Sequence, residues 1–252
     1  RFPDVRPNAC GDSVPVPPAV AQAPAVAPVV VEKLAEGVYL LGGGPANSYL
    51  VEFKDFLAVF EAPGDESRSL AVIEAVVKLA PGRPIRWLIS SHPHFDHIGG
   101  LRTYLHIGAT IVAHGKNIPF LNSDVLNYEP RTVSPDIVSR WPPTELAEGY
   151  NYEAVQESYT IADDSRLLRV YYVQPLRHVE GMLMAYLPAE RIAFQADLFD
   201  THEPPKAAQL PAMRSLSAQV ARMKLNVQTL APVHGRPVPW SMFVAALKSL
   251  GG

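Results

Sequence analysis

The chain is a succession of short apolar runs separated by polar or Gly/Pro breaks, and the spacing of the runs changes along its length. Residues 38–41, 48–53 and 56–60 are three such runs, divided by Gly42-Gly43-Gly44 and by Lys54-Asp55, and they predict three strands. Residues 66–79 carry apolar side chains at 70, 73, 76, 77 and 79, the spacing of an amphipathic helix, which Pro81-Gly82 ends. A buried strand is expected over 85–90, a short helix over 101–105 and a strand over 110–113. The pattern then predicts strands over 168–173, 182–187, 191–194 and 229–232, with helices over 213–225 and 240–250. Strands, a crossover helix, more strands and then helices imply an α/β chain with two sheets and helices outside them.

Two segments do not follow this pattern. Seven prolines fall within the first 28 residues, among Ala and Val, and residues 13–31 carry no charge. Each interior proline removes a hydrogen bond that lipid cannot replace, so this stretch is no membrane helix. No basic region precedes it, so it is no signal peptide as it stands. It reads as an extended arm over residues 1–30, ahead of a domain over 31–252. Residues 116–160 are polar and proline-punctuated, with Ile118, Phe120, Leu121, Leu126, Tyr128 and Trp141 interspersed, and are expected to form an insertion or lid.

Composition narrows the classes. With 48% hydrophobic and 19% charged residues the chain can bury a core, and a net charge of −3 argues against a nucleic-acid backbone binder. The single cysteine, Cys10, rules out an internal disulfide and a Cys-rich zinc module. The arm, the start at Arg1 and the cysteine count lean towards an exported, periplasmic protein, with a cytoplasmic one also consistent.

The chemistry is concentrated directly after the strand run 85–90, in His92-Pro-His94-Phe-Asp96-His97-Ile-Gly99-Gly100. A loop leaving the carboxyl end of a buried strand is the usual place for a ligand site in an α/β fold. The four-position pattern of His92, His94, Asp96 and His97 arises by chance in roughly three of ten thousand chains of this composition. Imidazole and carboxylate hold zinc, with iron or manganese as rivals. Residues 92 and 94 project to one side and 96 and 97 to the other, which points to two adjacent metals needing further ligands. His178, Asp197 and His234 each lie at a strand-to-loop transition and are the candidates.

With its His-x-His-x-Asp-His loop and later His, Asp and His, the chain resembles the metallo-β-lactamase superfamily over roughly residues 38–239. The resemblance implies a four-layer αββα sandwich with the site at one edge of two mixed sheets. It implies that His92, His94 and His178 hold one Zn²⁺, that Asp96, His97 and His234 hold a second, and that Asp197 bridges them. It implies a hydrolase that attacks a small ester-, lactone- or amide-like carbonyl with a metal-bridging hydroxide, Asp96 orienting the nucleophile. A β-lactam is an alternative substrate, although no lysine falls shortly after Asp197 to hold a drug's carboxylate. Cys10 lies in the arm, so the chain is not of the Cys-ligand class B type. Where the family has an Asp after the strand 56–60, this chain has Glu61. A non-haem iron redox protein and a non-catalytic binding module share the fold; seven filled ligand positions favour the hydrolase. His202 is a candidate to line the substrate mouth. Lys116 and Arg131 are candidates to pair with a substrate carboxylate, while His106 and His114 read as structural. The partner implied is a small molecule, with no nucleic acid and no membrane insertion.

Overall fold

The computed structural model describes residues 26–127, 129–132, 135–141, 150–176 and 178–251. Most of the arm expected over 1–30, Cys10 included, and Tyr128 lie outside the described residues.

In chain order the strands of the first sheet are β1 (Val30–Ala35), β2 (Val38–Gly42), β3 (Ser48–Glu52) and β4 (Leu57–Phe60). Helix α1 (Glu66–Leu79) crosses to β5 (Ile85–Ile89), and α2 (Phe95–Ile98) and α3 (Leu101–His106) lead to β6 (Thr110–His114). After α4 (Ile118–Phe120) and α5 (Ile137–Arg140), β7 (Tyr152–Val155) completes a seven-stranded sheet in the order β1-β2-β3-β4-β5-β6-β7. The second sheet holds β8 (Ser158–Ala162), β9 (Leu167–Tyr172), β10 (Leu183–Leu187), β11 (Ile192–Gln195), β12 (Thr229–Pro232) and β13 (Val238–Pro239). Helix α6 (Leu210–Arg222) joins β11 to β12, and α7 (Trp240–Ser249) ends the chain; the order is β13-β12-β11-β10-β9-β8.

The strands read as continuous apolar runs because both of their faces are buried. Val38, Leu40, Tyr49, Val51, Ala58 and Phe60 meet Val170, Leu183, Ala185 and Phe194 between the sheets. Their alternates Leu41, Leu50, Leu57 and Val59 pack instead with Val72 and Val76 of α1 and Leu101 and Tyr104 of α3. On the far side Met184, Tyr186 and Leu230 pack on Met213 and Leu216 of α6 and Phe243 of α7. The result is the four-layer αββα sandwich.

Several elements differ from expectation. β1 has four exposed residues and no apolar alternation, so it left no pattern, yet it pairs antiparallel with β2. The loop after β5 contains α2, and α6 starts three residues earlier than the apolar spacing marks. Segment 116–160 supplies β7 and β8, and Ile118, Leu121 and Leu126 are buried in the layer beneath α1 and α3, whereas Phe120 and Trp141 are exposed.

Two clamps hold these layers. The Arg166 guanidinium pairs with Glu190 (3.0 Å) and donates to the carbonyls of Glu36, Gly37 and Glu52, tying the second sheet to the first at the edge where β3 ends. Both members of the ion pair are nearly buried. Arg166→Met should therefore lower the unfolding free energy by about 3 kcal/mol in urea titration, because Glu190 loses its partner. Arg102 of α3 binds the Asp136 carboxylate and the carbonyls of Val125 and Asn127. Burial opposes the charge on Asp136, but Arg102 and Ser139 outweigh it and hold the carboxyl at about 2, against 3.8 ordinarily. A folded value below the unfolded one gives stability that is complete above about pH 4 and is lost as pH falls through about 2. The urea midpoints of the wild type and Asp136→Asn should thus converge on acidification from pH 5.

Candidate metal centre

The strand polarities bring the chemistry to one edge. β4, β5 and β6 run parallel, and so do β11 and β12, so their carboxyl ends open on common loops. Glu61 follows β4, His92 to His97 follow β5, Asp197 follows β11 and His234 follows β12; His178 lies in the loop between β9 and β10.

The donor atoms of His92, His94, His178 and Asp197 lie within 4.8 Å of one another, as do those of Asp96, His97 and His234. Asp197 faces both sets. Its Oδ2 is 3.2 Å from His92 Nε2 and 3.0 Å from His178 Nε2, while its Oδ1 is 3.3 Å from His97 Nε2 and 3.2 Å from His234 Nε2. Asp96 Oδ2 lies 3.5 Å from His97 Nε2 and 3.6 Å from His234 Nε2. All seven residues expected from the sequence are therefore gathered in one place, in the expected two groups.

Buried polar groups aim these rings. Glu61 is fully buried and adopts a left-handed backbone (φ 73°), from which Oε1 accepts from the Ser91 N–H and Oε2 from His97 Nδ1–H, each at 2.6 Å. That second bond turns the His97 Nε2 lone pair towards the centre. Ser91 Oγ is 2.9 Å from His92 Nδ1, which leaves His92 Nε2 facing inward. Asp197 is also left-handed (φ 59°), and its turn is held by the fully buried Gln195, which accepts from the Leu198 and Phe199 N–H groups and donates to the Phe199 carbonyl. Asn47 donates to the carbonyls of Pro232 and Gly235 on either side of His234, and Tyr49 Oη donates to Pro232 at 2.5 Å. Gly99 lets α2 lie against the backbone of Gly64, where a Cβ would fall 1.7 Å from the Gly64 carbonyl oxygen.

The donor chemistry fits a cation. His92 Nε2 and His94 Nδ1 approach to 2.9 Å and the Nε2 atoms of His97 and His234 to 3.3 Å, so ring nitrogens converge where no proton donor is supplied to all of them. Among the described residues, every ion-pair partner of Asp96 and Asp197 is a histidine. Burial opposes the Asp197 charge, but hydrogen bonds from His178, His234, His92 and His97 hold its carboxyl far below the usual carboxylate range. Burial likewise disfavours a charged His97, yet Glu61 and Asp197 override it and lift the imidazole to about 10. Burial pushes His92 down. Without a metal, the cluster must share protons among rings; a divalent cation satisfies the same lone pairs directly.

The chain matches the model of the metallo-β-lactamase superfamily over residues 41–232. The chain belongs to the metallo-β-lactamase superfamily. The match ends two residues before His234, which the donor geometry groups with Asp96 and His97 as the sequence led one to expect. Among solved structures, a metallo-β-lactamase from Pontibacter korlensis is 15% identical, with a TM-score of 0.65 over 89% of this chain and 99% of that one. The FIM-1 metallo-β-lactamase from Pseudomonas aeruginosa, in its mono-zinc form, is 18% identical, with a TM-score of 0.63 over 90% and 97%. The DIM-1 metallo-β-lactamase is 16% identical, with a TM-score of 0.66 over 90% and 99%. No curated protein matches the sequence. At these identities the likeness is one of fold. The superfamily's hydrolase fold is thus present together with a His/Asp metal-binding cluster.

The remaining candidates separate. The His202 ring is half-exposed, 6.4 Å between centroids from His234, and its Nδ1 is 3.2 Å from Asp200. His106 contacts the Trp141 carbonyl and His114 the Gln156 carbonyl, both outside the cluster. Arg131 donates to the carbonyls of Asp124 and Val125 and Lys116 pairs with Glu180, so both cations are already engaged. Ser91, Gln195 and Asn47 were missed as site supports. Their one sequence signal is a polar residue beside an apolar strand run that leads into a site loop. Among the described residues, no helix is long and apolar enough to cross a membrane.

Glu61 gives the sharpest test of this scaffold. Glu61→Leu leaves the Ser91 N–H and His97 Nδ1–H buried without an acceptor, at about 2–5 kcal/mol together. Urea unfolding of the metal-free protein should show that loss. Glu61→Gln, which keeps one acceptor, should show about half of it.

Proposed function

We propose that the chain is a di-zinc hydrolase of small ester-, lactone- or amide-like carbonyl compounds. One observation carries the reading: two sets of nitrogen and oxygen donors share the two oxygens of Asp197. His92, His94 and His178 would hold one ion, Asp96, His97 and His234 the other, and Asp197 both. When bound, such a pair supplies Lewis acidity towards the carbonyl oxygen and lowers the pKa of a water to give a nucleophile at neutral pH.

The chain's own residues then orient and exclude. The Asp96 side chain is 42% exposed at the mouth; its Oδ2 faces His97 and His234, and its carboxylate would position the attacking water and exchange a proton with it. Glu61 fixes the His97 ring, and Gln195 fixes the Asp197 turn. Ser91 is fully buried against His92, so it serves the imidazole and is no nucleophile. His202, braced by Asp200, lies on the rim beside His234 and would donate to a polar group of the substrate. A β-lactam is a cyclic amide and falls within the same class.

Elemental analysis of protein purified without added metal should give about two zinc ions per chain. A panel of lactones, esters, thioesters and β-lactams should include a hydrolysed member. Asp96→Ala should cut its kcat/KM by at least about a hundredfold, and a chelator should abolish turnover, with zinc restoring it. A single iron per chain with a visible absorption band, or turnover unaffected by Asp96→Ala and His97→Ala, would overturn the reading.

A further inference from the structure

Six of the seven donors stand within a few residues of a buried strand's carboxyl end or on the short α2. His178 does not: it is carried in mid-loop, in residues 173–182 between β9 and β10. The base of that loop is closed by the Val173 N–H donating to the Met182 carbonyl at 2.9 Å, and Ser215 Oγ donates to the Pro175 carbonyl at 2.7 Å. Besides the His92 and His94 rings themselves, the opposite sheet reaches this loop from the turn after β6. Asn117, only 6% exposed, donates Nδ2–H to the Gly181 carbonyl at 3.0 Å. Gly181 has φ 76°, and a Cβ there would lie 2.8 Å from both terminal atoms of the Asn117 amide. The amide therefore occupies the space where a side chain would stand, and it grips the loop by packing and by hydrogen bond together.

The turn that presents Asn117 is itself fixed. The His114 ring packs on Tyr172 with centroids 4.1 Å apart, its Nε2–H donates to the Gln156 carbonyl, and its Nδ1 accepts from the Lys116 N–H. The Asn117 N–H donates to the His114 carbonyl. The neighbouring Lys116–Glu180 pair spans the same gap but is exposed, and pairs of that kind contribute little.

We infer that Asn117 is a positioning residue for His178, and so sets the affinity of the His92/His94/His178 metal position while leaving the Asp96/His97/His234 position unaffected. This rests on the metal-ligand reading proposed above. The test is Asn117→Asp, which preserves the shape but replaces the donor with an acceptor facing the Gly181 carbonyl. Wild-type, Asn117→Asp and Lys116→Ala full-length chains are stripped of metal. Each is titrated with Zn²⁺ against a chromophoric chelator and with Co²⁺ followed by its visible bands. The expected result is two binding events in the wild type and in Lys116→Ala. In Asn117→Asp one event should be unchanged and the other about 10–100-fold weaker, as when an outer-shell partner of a metal ligand is lost. His178→Ala should weaken the same event. Two unchanged events in Asn117→Asp would overturn the inference. So would equal weakening of both events with a lowered Tm, which marks a general structural role. No binding in the wild type would overturn the metal-ligand reading itself, and the inference with it.

Discussion

Four imidazoles come within 3.3 Å of one carboxylate, and this crowding at Asp197 is the constraint around which the rest is arranged. Two of those rings come from the loop after β5 in the first sheet, and two from loops of the second sheet. The cluster exists only if the two sheets meet at a fixed offset along that edge. The apolar layer between them gives cohesion, but dispersion and burial are non-directional and do not set an offset. Directional bonds set it. Asn47 and Tyr49 of the first sheet bond to carbonyls around His234, and the Leu183 N–H of the second donates to the Ser91 carbonyl at 2.7 Å. Arg166 does the same at the opposite edge.

The backbone records how tightly the site is specified. Glu61 and Asp197 both take left-handed conformations, which side-chain-bearing residues seldom adopt. Each is held there by a fully buried hydrogen-bonding group, the Glu61 carboxylate itself and the Gln195 amide beside Asp197. The unusual backbone and the buried polar group are two halves of one arrangement. In both cases it aims an inward-facing donor.

Much of this was legible before any coordinates. Strands buried on both faces produce uninterrupted apolar runs, so β2 to β6 and β9 to β12 stood out. The helix over 66–79 was legible to its last residue, because its apolar stripe and the following Pro-Gly agree; the Asp65 cap, which accepts from the Arg68 N–H, emerged only from the fold. The seven metal-ligand candidates were legible because their chemistry is dense. What was lost had physical causes. β1 is an exposed edge strand, whose pairing rests on backbone groups that every residue has. β7 and β8 are half-exposed and short, in a proline-punctuated segment. Glu61 departed from the family's Asp, so its place became clear only when both its oxygens were found engaged. Asn117 meets its Gly181 partner through folding alone, and Gln195 meets the 198–199 backbone only through the left-handed turn at Asp197.

Most of the groups that brace the site take hold of main-chain atoms. Asn47 binds carbonyls of Pro232 and Gly235, Thr201 binds both the carbonyl and the N–H of Arg236, Gln195 binds the 198–199 backbone and Asn117 the Gly181 carbonyl. A brace that grips the backbone is indifferent to the side chain borne by the residue it grips, except where only glycine fits. Side chains on the rim loops can then be exchanged without loosening the donors beneath them. Such a fold separates the inheritance of its reaction from the inheritance of its substrate, and the second can drift while the first stands still.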